Sequence, residues 1–212
     1  MTLTAVPNLQ VRPPTRFTAS TIFASSLYGL ILLLPVLGAM LSVTLLKLGI
    51  LTFVIPVAAI ALATFFLPLG FGNPHIARVV SPLRKEAGDS QECWVVQLTR
   101  EPRMRTGFMA TLEDADDVGV LWYTDSCLEF RGDSVVLTVP YTCIRDLKQQ
   151  NAGPRALFAY GSRTVFSVAG LKESGTFHFA ERGSCLLPSS RRYANAMYQA
   201  LERRLHPGAG EA

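Results

Sequence analysis

Two regimes of hydrophobic patterning divide the chain. From Phe17 to Ile76 the only charged side chain is Lys47, and apolar residues run almost without a break. A helix crosses a bilayer with about 20 apolar residues, so this run predicts two transmembrane helices, near Ser20–Leu45 and Leu48–Leu69. Lys47 and Gly49 mark a tight connection between them, with the Lys long enough to snorkel toward headgroups. A cleaved signal peptide would have an apolar core of about 7–15 residues followed by a small-residue cleavage site. This run is longer and leads straight into a second, which argues against cleavage. Within the two spans, Ser25 with Gly29 and Ala59 with Ala63 have the small-xxx-small spacing that lets helices pack closely. Pro35 and Pro56 are compatible with membrane helices. Neither span carries Asp, Glu, His or Arg, so an ion path is not expected.

Beyond residue 91 the period shortens to two. Cys93–Leu98, Gly107–Leu112, Val118–Tyr123, Cys127–Arg131, Ser134–Val139, Cys143–Lys148, Ala156–Tyr160, Thr164–Val168 and Thr176–Ala180 are expected strands. Leu128 and Phe130 alternate with Glu129 and Arg131, the pattern of a half-buried strand. Turn residues separate them, as in Asn151-Ala152-Gly153-Pro154 and Gly161-Ser162, and Pro140 ends one. Short strands at this spacing indicate an antiparallel barrel or sandwich.

After Pro188 the pattern becomes helical. Ser189 or Ser190 can cap a helix reaching Leu205, with Tyr193, Met197, Ala200, Leu201 and Leu205 on one face. Such a helix is placed to plug the open end of a small barrel. The expected fold class is a membrane protein: two transmembrane α-helices, then a mainly antiparallel β barrel with a C-terminal α-helix. The boundaries are a tail at 1–18, a hairpin at 19–72, a linker at 73–91, the β domain at 92–206 and a tail at 207–212.

Charge adds sidedness. The chain has 20 Lys and Arg against 16 Asp and Glu. Residues 1–85 hold Arg12, Arg16, Lys47, Arg78, Arg84 and Lys85 and no acid, a balance of +6. The other 14 basic residues face all 16 acids, a balance of −2. A nucleic-acid footprint would lie on the folded domain, so nucleic acid is not an expected partner. Five of those six cations flank the apolar run and Lys47 stands between its two spans; all six are expected as membrane-interface residues. The positive-inside rule then places both termini and the C-terminal domain in the cytoplasm, anchored in an inner (plasma) membrane.

Candidate chemistry is sparse. Cys93, Cys127, Cys143 and Cys185 lack metal-ligand spacing and are expected as reduced thiols in that compartment. Glu113, Asp114, Asp116 and Asp117 crowd one turn without the spacing of a calcium loop, so no metal is expected. His75, His178 and His206 are scattered, and no Gly-rich phosphate loop is present; no catalytic residue, enzyme activity or cofactor is expected. Arg131-Gly132-Asp133 spells the adhesion tripeptide but reads as a hairpin turn. Arg100, Arg103 and Arg105 form a basic cluster that can hold anionic lipid if it faces a bilayer.

The order of elements resembles the pleckstrin-homology (PH) superfold, in particular its GRAM and bacterial PH-like branches. GVLWYTDSCLEF (Gly119–Phe130) and VVLTVPYTCIRDL (Val135–Leu147) carry the likeness, with Val139-Pro140 and Ile144 at the characteristic step, then FHF (Phe177–Phe179) and the terminal helix. A two-helix hairpin before a PH-like domain is also similar to a known bacterial layout. The resemblance implies a non-enzymatic, membrane-anchored scaffold whose domain docks proteins or the membrane surface. The alternatives are an accessory subunit of a respiratory or photosynthetic type of complex, and recognition of anionic lipid headgroups. Expected partners are membrane lipids and other membrane subunits or a second copy of the chain.

Overall fold

The second strand of the sheet organises the molecule. In the computed structural model, which describes residues 6–46, 49, 51, 54–55, 57–59, 62, 74–87, 93–151, 162–171, 175–184 and 187–206, the elements in chain order are β1 (Asn8–Val11), α1 (Ala19–Leu45), α2 (Pro74–Ala87), β2 (Cys93–Glu101), α3 (Phe108–Leu112), β3 (Asp117–Tyr123), β4 (Cys127–Gly132), β5 (Val135–Pro140), β6 (Ile144–Gln150), β7 (Arg163–Val168), β8 (Thr176–Glu181) and α4 (Leu187–Leu205). All pairings are antiparallel, in the order β1-β5-β4-β3-β2-β8-β7-β6. β2 pairs with β3 through Cys93–Leu98 and with β8 through Val96–Glu101. This stagger, with the natural strand twist, curls the sheet into a half-barrel.

The concave side holds the main core. Leu128 and Phe130 of β4 and Leu137 and Val139 of β5 point inward with Phe166, Phe177 and Phe179. Phe130 meets Phe179 edge-on with ring centroids 5.3 Å apart. Met197, Ala200 and Leu201 of α4 close this core, and Tyr123 Oη donates to the Met197 carbonyl at 3.0 Å. The expected terminal plug is therefore present. Its register differs at one position, for Tyr193 is exposed and Ala194 is buried in its place.

A second core lies on the convex side, where Val118, Val120 and Trp122 of β3 face outward. Ile76, Val79, Val80 and Leu83 of α2 cover them together with Phe17 and Ile22. Ile76, Val79, Val80 and Leu83 have i, i+3, i+4, i+7 spacing, so one stripe of α2 meets the sheet. Fully burying such a side chain contributes roughly 1.5–3 kcal/mol, so this stripe fixes α2 firmly.

Two local expectations change. Gly107–Leu112 was expected as a strand but contains a helix: Gly107 sits at φ 70°, Ala110 N donates to Gly107 O at 3.1 Å, and Phe108–Leu112 is α3. Met, Ala and Leu favour that outcome, and the segment has no polar alternation to favour a strand. Residues 8–11, expected within a tail, add β1 to β5 with Asn8 opposite Thr138 and Val11 opposite Val135. The expected strand at Ala156–Tyr160 lies outside the described residues. At the opposite edge, β6 carries Arg145, Asp146 and Lys148 with a register shift between Arg145 and Lys148, features that discourage edge-to-edge pairing.

The membrane expectation is corrected. Among the described residues, no helix is long and apolar enough to cross a membrane. The integral inner-membrane placement and the cytoplasmic sidedness derived from the hairpin lose their basis with it. One physical reason is visible at the ends of the uncharged run. Phe17 and Ile76 both lie in the convex core, and Ile22, one turn into α1, is fully buried there. Lack of charge at these positions reflects packing against protein. Farther along α1, Phe23, Leu27, Leu34, Leu37 and Leu41 are exposed. Most of 48–69 lies outside the described residues.

Candidate functional site

The convex face is covered over β3 and open over β4, β5 and β1. Residues that alternate away from the main core line the open part: Asn8, Gln10 and Arg12 from β1 and the residue after it, Val136 and Thr138 from β5, and Arg131 from β4. They form a groove of about 870 Å³, bounded by Leu83 of α2 and by the segment holding Thr15 and Arg16. Register fixes its floor. Gln10 lies opposite Val136, and Val136 lies opposite Arg131. With strands about 4.8 Å apart, Gln10 and Arg131 are about 10 Å apart across the sheet.

Asp133 ties the N-terminal segment to this face. Its carboxylate accepts hydrogen bonds from Thr15 N at 2.8 Å, Thr15 Oγ1 at 2.6 Å, Arg16 N at 2.8 Å and Phe17 N at 2.9 Å. Burial pushes its pKa up, but these donors outweigh that effect and hold it below the ordinary value. The Asp of the Arg131-Gly132-Asp133 tripeptide is thus an internal clamp. Arg12 N extends the β1–β5 ladder by donating to Ser134 O at 2.7 Å.

Asp117 holds the same turn from inside. Its Oδ2 accepts Ser134 N at 2.8 Å and Val135 N at 2.7 Å, while Oδ1 accepts Val118 N at 2.9 Å. Burial raises its pKa to about 6 despite those donors. Gly132 makes room for it, since a Cβ there would meet Asp117 Oδ2 and the Phe130 ring.

The acidic and arginine clusters identified in the sequence form one structure. Asp116 accepts Arg100 N at 2.7 Å, Met104 N at 3.1 Å and Arg105 N at 3.0 Å, so its carboxylate organises the 102–107 loop. Arg103 donates to the Ala110 and Glu113 carbonyls. Arg105 donates to Asp116 O and Phe17 O, and its guanidinium lies 4.7 Å from the Phe17 ring centroid. Arg100 is buried. Glu113 forms a two-pronged pair with Arg182, which also donates to Gln97 Oε1 at 2.6 Å. Asp114 pairs with Arg163 and accepts from Gln97 Nε2. Among the described residues, no cluster of His, Cys, Asp and Glu has the arrangement of a metal site.

Other sequence candidates are dispersed. Arg12 and Arg16 meet in the groove, whereas Arg78 is exposed on α2 and Arg84 and Lys85 occupy its last turn, next to Leu83. Ser25 and Gly29 lie in α1, and Ala59 is helical; Lys47 and Ala63 lie outside the described residues. Cys93, Cys127 and Cys143 are free thiols, and Cys185 is outside the described set. His75, His178 and His206 fall on α2, β8 and the end of α4. The sequence marks Arg131 only within the Arg131-Gly132-Asp133 turn and as an outward position of β4, not as a binding residue. Its guanidinium lies 6.0 Å from the Trp122 ring centroid, an orienting contact at the outer limit of cation–π attraction.

The fold is a curled antiparallel half-barrel with a C-terminal helix, compatible with a PH-like fold. No family model, curated protein or solved structure matches the chain.

Proposed function

We propose that the chain is a non-enzymatic interaction module of the PH-like superfold, of GRAM or bacterial PH type, that docks a protein partner on the open convex face. The element order supports the family assignment. A four-strand meander, β2 to β5, is followed by β6 to β8, β8 returns to β2, and a helix fills the end.

The observation that carries the docking role is the division of the convex face. Over β3 it is sealed by α2 and the start of α1, while over β4, β5 and β1 it stays open as a groove of about 870 Å³. Within the lining Asp133 serves the fold, and the other acids act outside the groove. Asp116, Asp117 and Asp133 hold loops and turns, and Glu113 and Asp114 pair with Arg182 and Arg163.

The test is a photo-crosslinking amino acid placed at Gln10 in the groove, with Lys148 on β6 as the control position. A discrete protein adduct at Gln10 and none at Lys148 is expected in cells that make the chain. Equal adducts at both positions, or none at either, would overturn the role.

A second reading, an accessory subunit of a larger assembly, is favoured by the exposed Phe23, Leu27, Leu34, Leu37 and Leu41 of α1. Native mass measurement of the gently purified chain would then find partners in fixed stoichiometry. A monomer would contradict it.

A further inference from the structure

We propose that the groove is an acidic-peptide site, in which Arg12, Arg16 and Arg131 receive carboxylates presented along an extended segment of a protein partner. This rests on the docking role above and specifies its ligand. Three arginines and one acid, Asp133, line the groove. The acid's two oxygens already accept four hydrogen bonds from Thr15, Arg16 and Phe17. The lining therefore presents net positive charge, although the chain from 86 onward is slightly acidic.

The residue type and the spacing narrow the class. Arginine offers a planar fork matched to carboxylate and phosphate oxygens, which lysine lacks. The three do not come from one point. Arg131 is on β4, two strands from β1, and Arg12 follows Gln10 by two residues, so their backbones are about 10 Å or more apart. Arg16 lies beyond the Pro13-Pro14 step. A single phosphate requires donors that converge, whereas an extended peptide presents alternate side chains about 7 Å apart on one face. Carboxylates repeated at alternate positions, about 7 and about 14 Å apart, bracket that spread. Gln10, whose Oε1 accepts from Arg12 Nη2 at 3.1 Å, and Asn8 and Thr138 beyond it add hydrogen-bonding groups beside the charges.

The site also depends on its own N-terminal segment. Arg12 and Arg16 reach the groove only because β1 pairs with β5 and Asp133 holds Thr15 to Phe17. Asp133 is thus a positioning residue for Arg16, whose backbone N–H it holds, while the β1–β5 pairing and the Arg12 N–H to Ser134 O bond place Arg12.

The experiment is fluorescence anisotropy of the purified full chain with a labelled peptide of alternating Glu and Thr, and with its Gln-for-Glu counterpart. The Glu peptide is expected to bind and the Gln peptide not. Arg12→Ala with Arg16→Ala should weaken binding by about tenfold or more, the size of one or more lost charge-assisted contacts. Both residues are exposed, so the melting curve of this double variant should stay close to that of the parent. Arg131→Gln supplies an independent variant on the rigid sheet with the same expected loss. Higher salt should weaken the Glu peptide further.

Equal binding of the two peptides, or no change in either variant, would overturn the proposal. Parallel arms with inorganic phosphate and with phosphatidylserine vesicles test the other anion sources. Arginine-dependent binding there, with none to the Glu peptide, would replace the acidic peptide by a phosphate ligand. A Gln10 adduct without Glu-peptide binding would remove the ligand class and leave the docking role standing. Loss of both would remove both.

Discussion

The backbone N–H of Phe17 donates to Asp133 Oδ2 at 2.9 Å across 116 positions of sequence. This bond joins the two structures built on the convex face. Phe17 is completely buried in the core under α2, while Asp133 ends the strand pair that floors the groove. Removing the carboxylate should therefore release the N-terminal segment and leave the half-barrel intact. Asp133→Ala is expected to cost about 2 kcal/mol, from hydrogen bonds to a charged group. Amide exchange should quicken at Asn8–Val11 while Leu137 and Phe179 stay protected. Unchanged exchange in β1 would show that pairing with β5 suffices alone.

Gly132 is fixed by close approach. A methyl group there meets Asp117 Oδ2 and the edge of the Phe130 ring, both of them buried. Gly132→Ala should destabilise by about 1–3 kcal/mol, the overpacking range. Chemical denaturation measures this directly, and a loss under 0.5 kcal/mol, the ordinary range for surface changes, would contradict it.

Arg182 and Glu113 form a buried pair, with Nη2 to Oε2 at 3.1 Å and the partners 6% and 11% exposed. Breaking one side leaves the other charge buried and uncompensated, at a cost of about 3–5 kcal/mol. Arg182→Met alone should show that loss, and Arg182→Met with Glu113→Leu should recover a large part of it. Additive losses in this double-mutant cycle would mean that the pair is not coupled.

Stability should depend on pH in two opposed ways. Burial lifts Asp117 from 3.8 to about 6, so between those values the folded state keeps a proton that the unfolded state releases. Its contribution is full below about pH 4 and is lost as pH rises through 6, a change of about 3 kcal/mol. Asp133 has the opposite sign: its lowered pKa contributes stability above the ordinary carboxylate range and loses it as pH falls. Denaturation of the parent and of Asp117→Asn across pH 4 to 7 separates them. The parent's advantage should shrink as pH rises, and a constant difference would place the titration elsewhere.

Much of the β core is legible in the sequence because alternation reports burial directly. Leu128, Phe130, Phe177 and Phe179 declare inward positions, and Met197 and Leu201 declare the helix that caps them. The convex core is less legible. Ile76, Val79, Val80 and Leu83 have clear helical spacing, yet their partners Val118, Val120 and Trp122 are read first as one strand's other face. Periodicity shows that a face is apolar without naming what covers it. The same ambiguity led the uncharged run to be read as a hairpin in a bilayer, although Phe17, Ile22 and Ile76 pack against protein. The groove was least legible. Arg12 and Arg16 meet Arg131 only through β1, a four-residue strand whose pairing with β5 is set by contacts more than a hundred residues distant.

Docking of a partner on the open convex face would leave a footprint in amide exchange. Hydrogen–deuterium exchange of the full chain, alone and with the alternating Glu–Thr peptide, tests it at residue level. Added protection is expected at Asn8–Phe17 and Arg131–Thr138 alone, with β6 and α4 unchanged. Protection centred on β6 or α4, or no protection under conditions in which the peptide binds, would contradict it.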